Sequence, residues 1–304
     1  MKKRLATIAA FAGGAYALGR FFRGEPRRAP TAPGFVREID GEQIHYVDEG
    51  SGPPMVLIHG FGCSTFQWRK LVPLLSAAHR VIAIDLPGFG FSDRNPEVAL
   101  SHERHADRVV RLMDTLGIGR ATLIGHSMGG GIAQRVAVAY PRRVDHLVLV
   151  CSVNASESID RPRRRGEKLL FPLVSLALRS PKLLRIGVRR ALRASVADAS
   201  VVDSEMVEGY AAPLSIRGTA ACLKRLSEES LLDAALDLAL VIAPTLVVSG
   251  SLDRVVPVTV GEAVTSRVLG ARHTILPSGH CLPEEQPSAL VEEILVFLHE
   301  SVPA

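Results

Sequence analysis

Ala121-Thr122-Leu123-Ile124-Gly125-His126-Ser127-Met128-Gly129 runs from a short apolar stretch, through a Gly-x-Ser-x-Gly pentapeptide, into an Ala/Val-rich segment. A short β-branched, apolar run bounded by glycine predicts a buried strand, and residues 128–140 predict a helix. The chain must turn sharply between the two, which leaves the Ser127 hydroxyl standing clear of the backbone. Glycine at 125 and 129 lets neighbouring backbone pass close to that turn. Because the helix starts at the serine, its free N–H groups and its dipole face any negative charge that forms there. Ser127 is the candidate nucleophile.

Upstream, Met55-Val56-Leu57-Ile58 predicts a second buried strand, ending in the glycine-rich turn His59-Gly60-Phe61-Gly62. Downstream, Pro244 to Gly250 predicts another, and Asp253 stands just past its carboxyl end, where a side chain reaches into a cleft. A further strand over 271–276 leads into Ser278-Gly279-His280-Cys281. His280 is the candidate base: an imidazole with an ordinary pKa of about 6.5 accepts the serine proton and returns it to a leaving group near neutrality. Asp253 would hold its Nδ1–H and stabilise the imidazolium. Of the ten histidines, His79, His102, His105, His146 and His299 read as surface or helix-face residues, and His59 and His126 as residues that orient loops. His102, Glu103, His105 and Asp107 lack the spacing of a zinc helix, and Ser101 before them reads as a helix N-cap.

These pieces, in the chain order Ser, Asp, His, resemble the α/β-hydrolase family in its esterase, lipase and C–C-hydrolase branch, over residues of about 35–152 and 243–300. Asp85-Leu86-Pro87-Gly88-Phe89-Gly90-Phe91-Ser92 is similar to the family's D-x-P-G-x-G-x-S turn, and Glu285-Gln286-Pro287 to the segment after its histidine. The resemblance implies an α/β fold with a mostly parallel sheet, helices on both faces and an inserted helical cap. It also implies an oxyanion hole from the backbone N–H groups of Phe61 and Met128, with His59, Gly60, Gly125 and Gly129 as motif support. Haloalkane dehalogenases and epoxide hydrolases of this fold carry aspartate where Ser127 stands, so the resemblance points away from them. The implied reaction is cleavage of a carboxylic ester through an acyl-enzyme, without metal or organic cofactor, and the apolar character of the cap segment favours a hydrophobic acyl or lipid chain. A C–C-bond hydrolase of ring-cleavage products and a non-catalytic ligand receptor are the alternatives on the same fold.

The chain has 304 residues, of which 47% are hydrophobic, enough for a large core. Cys63, Cys151, Cys222 and Cys281 form no C-x-x-C pair and suggest neither a disulfide framework nor a zinc site. The net charge of +5 conceals a segregation: residues 1–28 carry +6 and residues 161–193 carry +10, which leaves −11 for everything else. The basic segments coincide with apolar ones and with no nucleic-acid motif, so nucleic acid is not an expected partner. Nothing indicates the oligomeric state.

Four segments follow. Residues 1–34 combine basic residues with the apolar stretch Leu5 to Gly19 and a Pro-rich linker. A retained membrane anchor is the expectation, with a cleaved signal for secretion or a transit peptide as alternatives. Residues 35–152 and 243–304 form the two parts of the hydrolase core. Between them, 153–242 form the cap, where apolar residues recur at near-helical spacing through 169–178 and 183–192 among Arg179, Lys182, Arg185, Arg189, Arg190 and Arg193. That pattern fits a cap helix pair over the site or a surface that contacts anionic lipid. Core strands are predicted near 35–39, 43–48, 55–59, 80–85, 121–126, 145–151, 244–249 and 271–276. Core helices are predicted near 67–77, 102–117, 128–140, 258–267 and 288–299.

Overall fold

The computed structural model describes residues 33–156, 180–230 and 233–301. Its centre is β5 (Ala121–His126), buried along its whole length and paired in parallel with β3 (Pro54–Ile58) on one side and β6 (Val144–Val150) on the other. Parallel strands covered on both faces need apolar side chains in both directions, which is why these runs are continuous rather than alternating. Outward from β3 lie β4 (Arg80–Ile84), then β2 (Glu42–Glu49) and β1 (Phe35–Ile39), the last two antiparallel. Outward from β6 lie β7 (Thr245–Gly250) and β8 (Arg272–Leu276), giving the order β1-β2-β4-β3-β5-β6-β7-β8.

Alternate residues of the strands feed two cores. Val56 and Ile58 pack with Val109 of α1 (His102–Thr115) and with Ile132 and Val136 of α2 (Met128–Ala139). Met55 and Leu57 pack on the other face with Trp68 and with Leu290 and Ile294 of the carboxyl-terminal helix (Pro287–Glu300). Among the described residues, three α-helices lie between β6 and β7: α3 (Pro181–Ser195), α4 (Ser204–Leu214) and α5 (Thr219–Glu229). They make the inserted cap. After β7 come α6 (Val258–Thr265) and, last, α7, the helix Pro287–Glu300 already placed on the second core.

Two expectations are corrected. The helix predicted over 67–77 is instead a 3-10 turn at Thr65–Trp68 followed by a single α-turn at Val72–Leu75. Pro73 has no N–H to continue a helix through that stretch, and the Thr65 N–H is taken by the buried Asp85 carboxylate at 2.6 Å. His102 and His105 are buried rather than superficial, because they share the inward face of α1 with Ala106, Val109 and Met113 at helical spacing. Ser101 does cap α1, accepting from the Arg104 N–H at 3.3 Å. The N-terminal anchor and the apolar run 169–178 lie outside the described residues. Among those described, no helix is long and apolar enough to cross a membrane.

Candidate active site

Ser127 occupies the junction of β5 and α2 with φ 53° and ψ −117°, a left-handed conformation that a non-glycine residue adopts only under constraint, at a cost of about 1–3 kcal/mol. The constraint is visible on both sides. A Cβ on Gly125 would lie 2.4 Å from the Gly129 carbonyl oxygen, and one on Gly129 would lie 2.1 Å from that of Ile58. The Ser127 N–H donates to the Val150 carbonyl at 3.0 Å and its own carbonyl accepts from Gly130 and Val153, so the turn is pinned to β6 as well.

The loops after β7 and β8 bring two residues to this turn from 126 and 153 positions further along the chain. His280 Nε2 is 3.0 Å from Ser127 Oγ, and its Nδ1 is 2.7 Å from Asp253 Oδ2. The other Asp253 oxygen accepts from the Val255 and Val256 N–H groups at 2.7 and 2.8 Å, so a buried carboxylate is satisfied without a cation. This is the chain of contacts through which a hydroxyl passes its proton to an imidazole held by a carboxylate.

Met128 directly follows Ser127, and Gly60, the neighbour of Phe61, comes close to it, since a Cβ there would lie 3.3 Å from the Ser127 Cβ. Met128 is the first residue of α2, where an N–H has no acceptor one turn back. Among the described residues the Phe61 N–H also makes no hydrogen bond, while its neighbour Gly60 donates to Gln67 Oε1 at 3.1 Å. Proximity follows from register, since Ile58 is opposite Gly125 in the β3–β5 ladder.

The alpha/beta hydrolase fold family matches residues 53–287 of this sequence. The chain belongs to the α/β-hydrolase fold family. It is a hydrolase. It is 29% identical over 269 residues to an uncharacterized hydrolase, YugF, of Bacillus subtilis, covering 86% of this chain and 96% of that one. It is 32% identical over 271 residues to the 2-hydroxy-6-oxo-6-phenylhexa-2,4-dienoate hydrolase of Burkholderia cepacia, covering 84% and 91%. A meta-cleavage product hydrolase from Pseudomonas fluorescens superposes with a TM-score of 0.75 at 27% identity, over 88% of this chain and 98% of that one.

Several side chains of this α/β-hydrolase fix the loops rather than the reacting atoms. His59 Nε2 accepts from the Leu86 N–H at 3.1 Å, which leaves Nδ1–H to donate to the Gly60 carbonyl at 2.8 Å; burial lowers its pKa and keeps it neutral. His126 donates from Nε2 to the His280 carbonyl at 2.8 Å, and burial, followed by the proximity of His280, pushes its pKa down to about 3. Asp85, which sequence reading treated only as part of a turn, is a hub: it accepts from the Thr65 and Phe91 N–H groups and from His45 Nδ1. Burial alone would raise its pKa, but the His45 hydrogen bond, the nearby imidazoles of His59 and His45 and the Thr65 N–H together outweigh burial and hold it below the usual range.

Two further residues gave no local signal. Glu284 is buried, bonded to Arg69, and accepts from the Tyr210 hydroxyl of α4 at 3.2 Å. Glu285 accepts from the Gly279 N–H at 3.1 Å and from the Ala197 N–H at 2.7 Å, joining the loop of His280 to the end of α3. Only the Glu285-Gln286-Pro287 resemblance pointed here.

One group of metal-ligating types, His126, Cys151 and His280, has ligand atoms within 4.8 Å of one another among the described residues. Both ring nitrogens of His280 and Nε2 of His126 are already engaged as above, and burial raises the Cys151 thiol well above its ordinary range, away from the thiolate a metal needs. A surface groove of about 690 Å³ beside α1 shares no residue with this site, and Asp107 and Asp114 pair with its Arg104 and Arg143.

Proposed function

We propose that the protein is a serine hydrolase that cleaves carboxylic esters through an acyl-enzyme. The observation that carries this reading is the unbroken contact from Ser127 Oγ through His280 to Asp253, at 3.0 and 2.7 Å. In the proposed sequence, Ser127 attacks the ester carbonyl as His280 takes its proton, and the oxyanion is held by the Phe61 and Met128 N–H groups. His280 then protonates the leaving alkoxide. Water, deprotonated by the same imidazole, releases the acid and regenerates the serine. A lost oxyanion donor costs about 2.7–4 kcal/mol of barrier in comparable enzymes. Beside the His280 loop, Tyr210 of α4 packs in one apolar cluster with Phe66, Cys63 and Cys281, which suits a hydrophobic acyl chain.

C–C-bond hydrolysis is the second reading, favoured by the named relatives that act on dienoates. A dienoate carries a carboxylate that needs a cation in the site. Against that reading, the cations beside the His280 loop, Arg69 and Lys70, are both engaged by Glu284. The test is a paired assay of p-nitrophenyl esters of rising chain length and of a vinylogous diketone carboxylate. Ester turnover that rises from acetate to octanoate supports the proposal. Turnover of the diketone with negligible ester cleavage overturns it in favour of the second reading.

A further inference from the structure

Helix α3 has two faces of different character. Leu184, Val188 and Leu192 are buried against Met206, Val207 and Tyr210 of α4. Lys182, Leu183, Ile186, Arg190 and Arg193 are all exposed, and at the pitch of an α-helix they fall within about 100° of one another. Leu183 is 47% and Ile186 40% exposed. A Cβ at Gly187 would meet nothing within 4 Å, so the face stands open.

Folding does not account for this face. Among the described residues Lys182, Arg190 and Arg193 have no carboxylate within ion-pair distance, and α3 contains no acidic residue; its paired arginine, Arg185 with Glu208, lies outside the arc. Two aliphatic side chains amid unpaired cations suit a boundary between headgroups and acyl chains, where apolar groups enter and cations stay with phosphates. A nucleic acid would leave Leu183 and Ile186 against its phosphates. The charge of the whole chain points the same way. Helix α3 itself holds five Lys and Arg and no acidic residue, while the part of the chain outside both basic segments carries −11, so an anionic surface attracts this helix and repels the core.

We propose that α3 is a membrane-docking helix whose Lys182, Leu183, Ile186, Arg190 and Arg193 arc lies on an anionic phospholipid bilayer. This goes beyond the reaction proposed above and does not depend on it. The docking helix is tied directly to the site, because the carbonyl of Ser195 at the end of α3 accepts from the His280 N–H at 2.6 Å.

Ile186→Trp in the full chain reports on the face directly, since Trp68, the chain's single tryptophan, is fully buried and gives a constant background. With vesicles of phosphatidylcholine and phosphatidylglycerol, the emission of the variant shifts to the blue, is quenched by brominated acyl chains, and returns on addition of salt. Pure phosphatidylcholine produces no shift, whether or not residues 1–28 hold the chain to the vesicle. Adding Arg190→Glu and Arg193→Glu raises the lipid needed for half of the shift by about twenty-five-fold or more, at roughly fivefold for each arginine lost, with thermal unfolding in buffer unchanged. Leu183→Trp serves as an independent reporter of the same arc. No shift on any vesicle, an equal shift on pure phosphatidylcholine, a shift with single-stranded DNA, or one that grows with protein concentration alone would each overturn the proposal.

Discussion

Beneath Ser127 the molecule is fixed by backbone: β5 is buried from end to end, and carbonyl oxygens stand 2.4 Å and 2.1 Å from where side chains at Gly125 and Gly129 would begin. Above it, α3 and α4 rest on a small apolar cluster and on a few contacts, such as Gly209 against the Phe66 ring and Tyr210 with Glu284, while Cys222, Leu223 and Leu226 of α5 join the larger core. The lower half leaves the backbone under the reacting serine no room for a larger residue at Gly125 or Gly129. The upper half is held through individual side chains.

The same substitution therefore has opposite signs in the two halves. Gly129→Ala forces backbone apart at the centre of the sheet, and we expect a loss of about 4 kcal/mol or more, read as absent or strongly shifted thermal unfolding. Gly187→Ala fills open space on a helix and should raise stability by about 0.5–1 kcal/mol. Equal effects at both positions would erase the distinction.

An intermediate effect is expected where the halves meet. Glu284→Gln leaves Arg69 with only the exposed Glu205 at 3.7 Å as a charge partner and weakens the seat of α4. A loss of about 2–4 kcal/mol in chemical unfolding is expected, with KM for long-chain esters rising more than kcat falls. A variant that changes neither stability nor chain-length preference would show that α4 is seated by apolar contact alone.

Acid separates the halves more gently. Residues 180–230 contain no histidine, whereas the core holds His59, His105 and His126, whose pKa values burial lowers from 6.5. Between pH 6.5 and, for His126, about 3, the unfolded chain binds protons that the native chain does not. Stability is therefore complete above 6.5 and falls as the pH drops through that window, by up to about 1.4 kcal/mol per pH unit for each histidine, levelling off below it. A flat unfolding free energy from pH 7 to pH 4 would contradict this account.

What the sequence disclosed follows the same division. The central strands were legible to within a residue or two because each is a short apolar run bounded by glycine, proline or charge, and Ser127, Asp253 and His280 each follow one of them. Features set by distant partners were not legible. Glu284 meets Arg69 across 215 positions and Tyr210 across 74, and no local pattern encodes either contact. His105 was misplaced because a polar residue on the inward face of α1 interrupts its apolar spacing; both its ring nitrogens are buried without a hydrogen bond among the described residues. Helices α4 and α5 escaped notice because Gly209 and Pro213 weaken the pattern of the first, and the second starts at Gly218 with no side-chain cap.

The central claim is that Ser127 is made reactive by His280, and labelling of the intact protein with a fluorophosphonate, read by peptide mass spectrometry, tests it most directly. The account predicts one adduct per chain, on the peptide containing Ser127, none in Ser127→Ala, and labelling of His280→Gln slowed by about a thousandfold or more. An adduct on another residue, or ester hydrolysis that survives intact in Ser127→Ala, would contradict it.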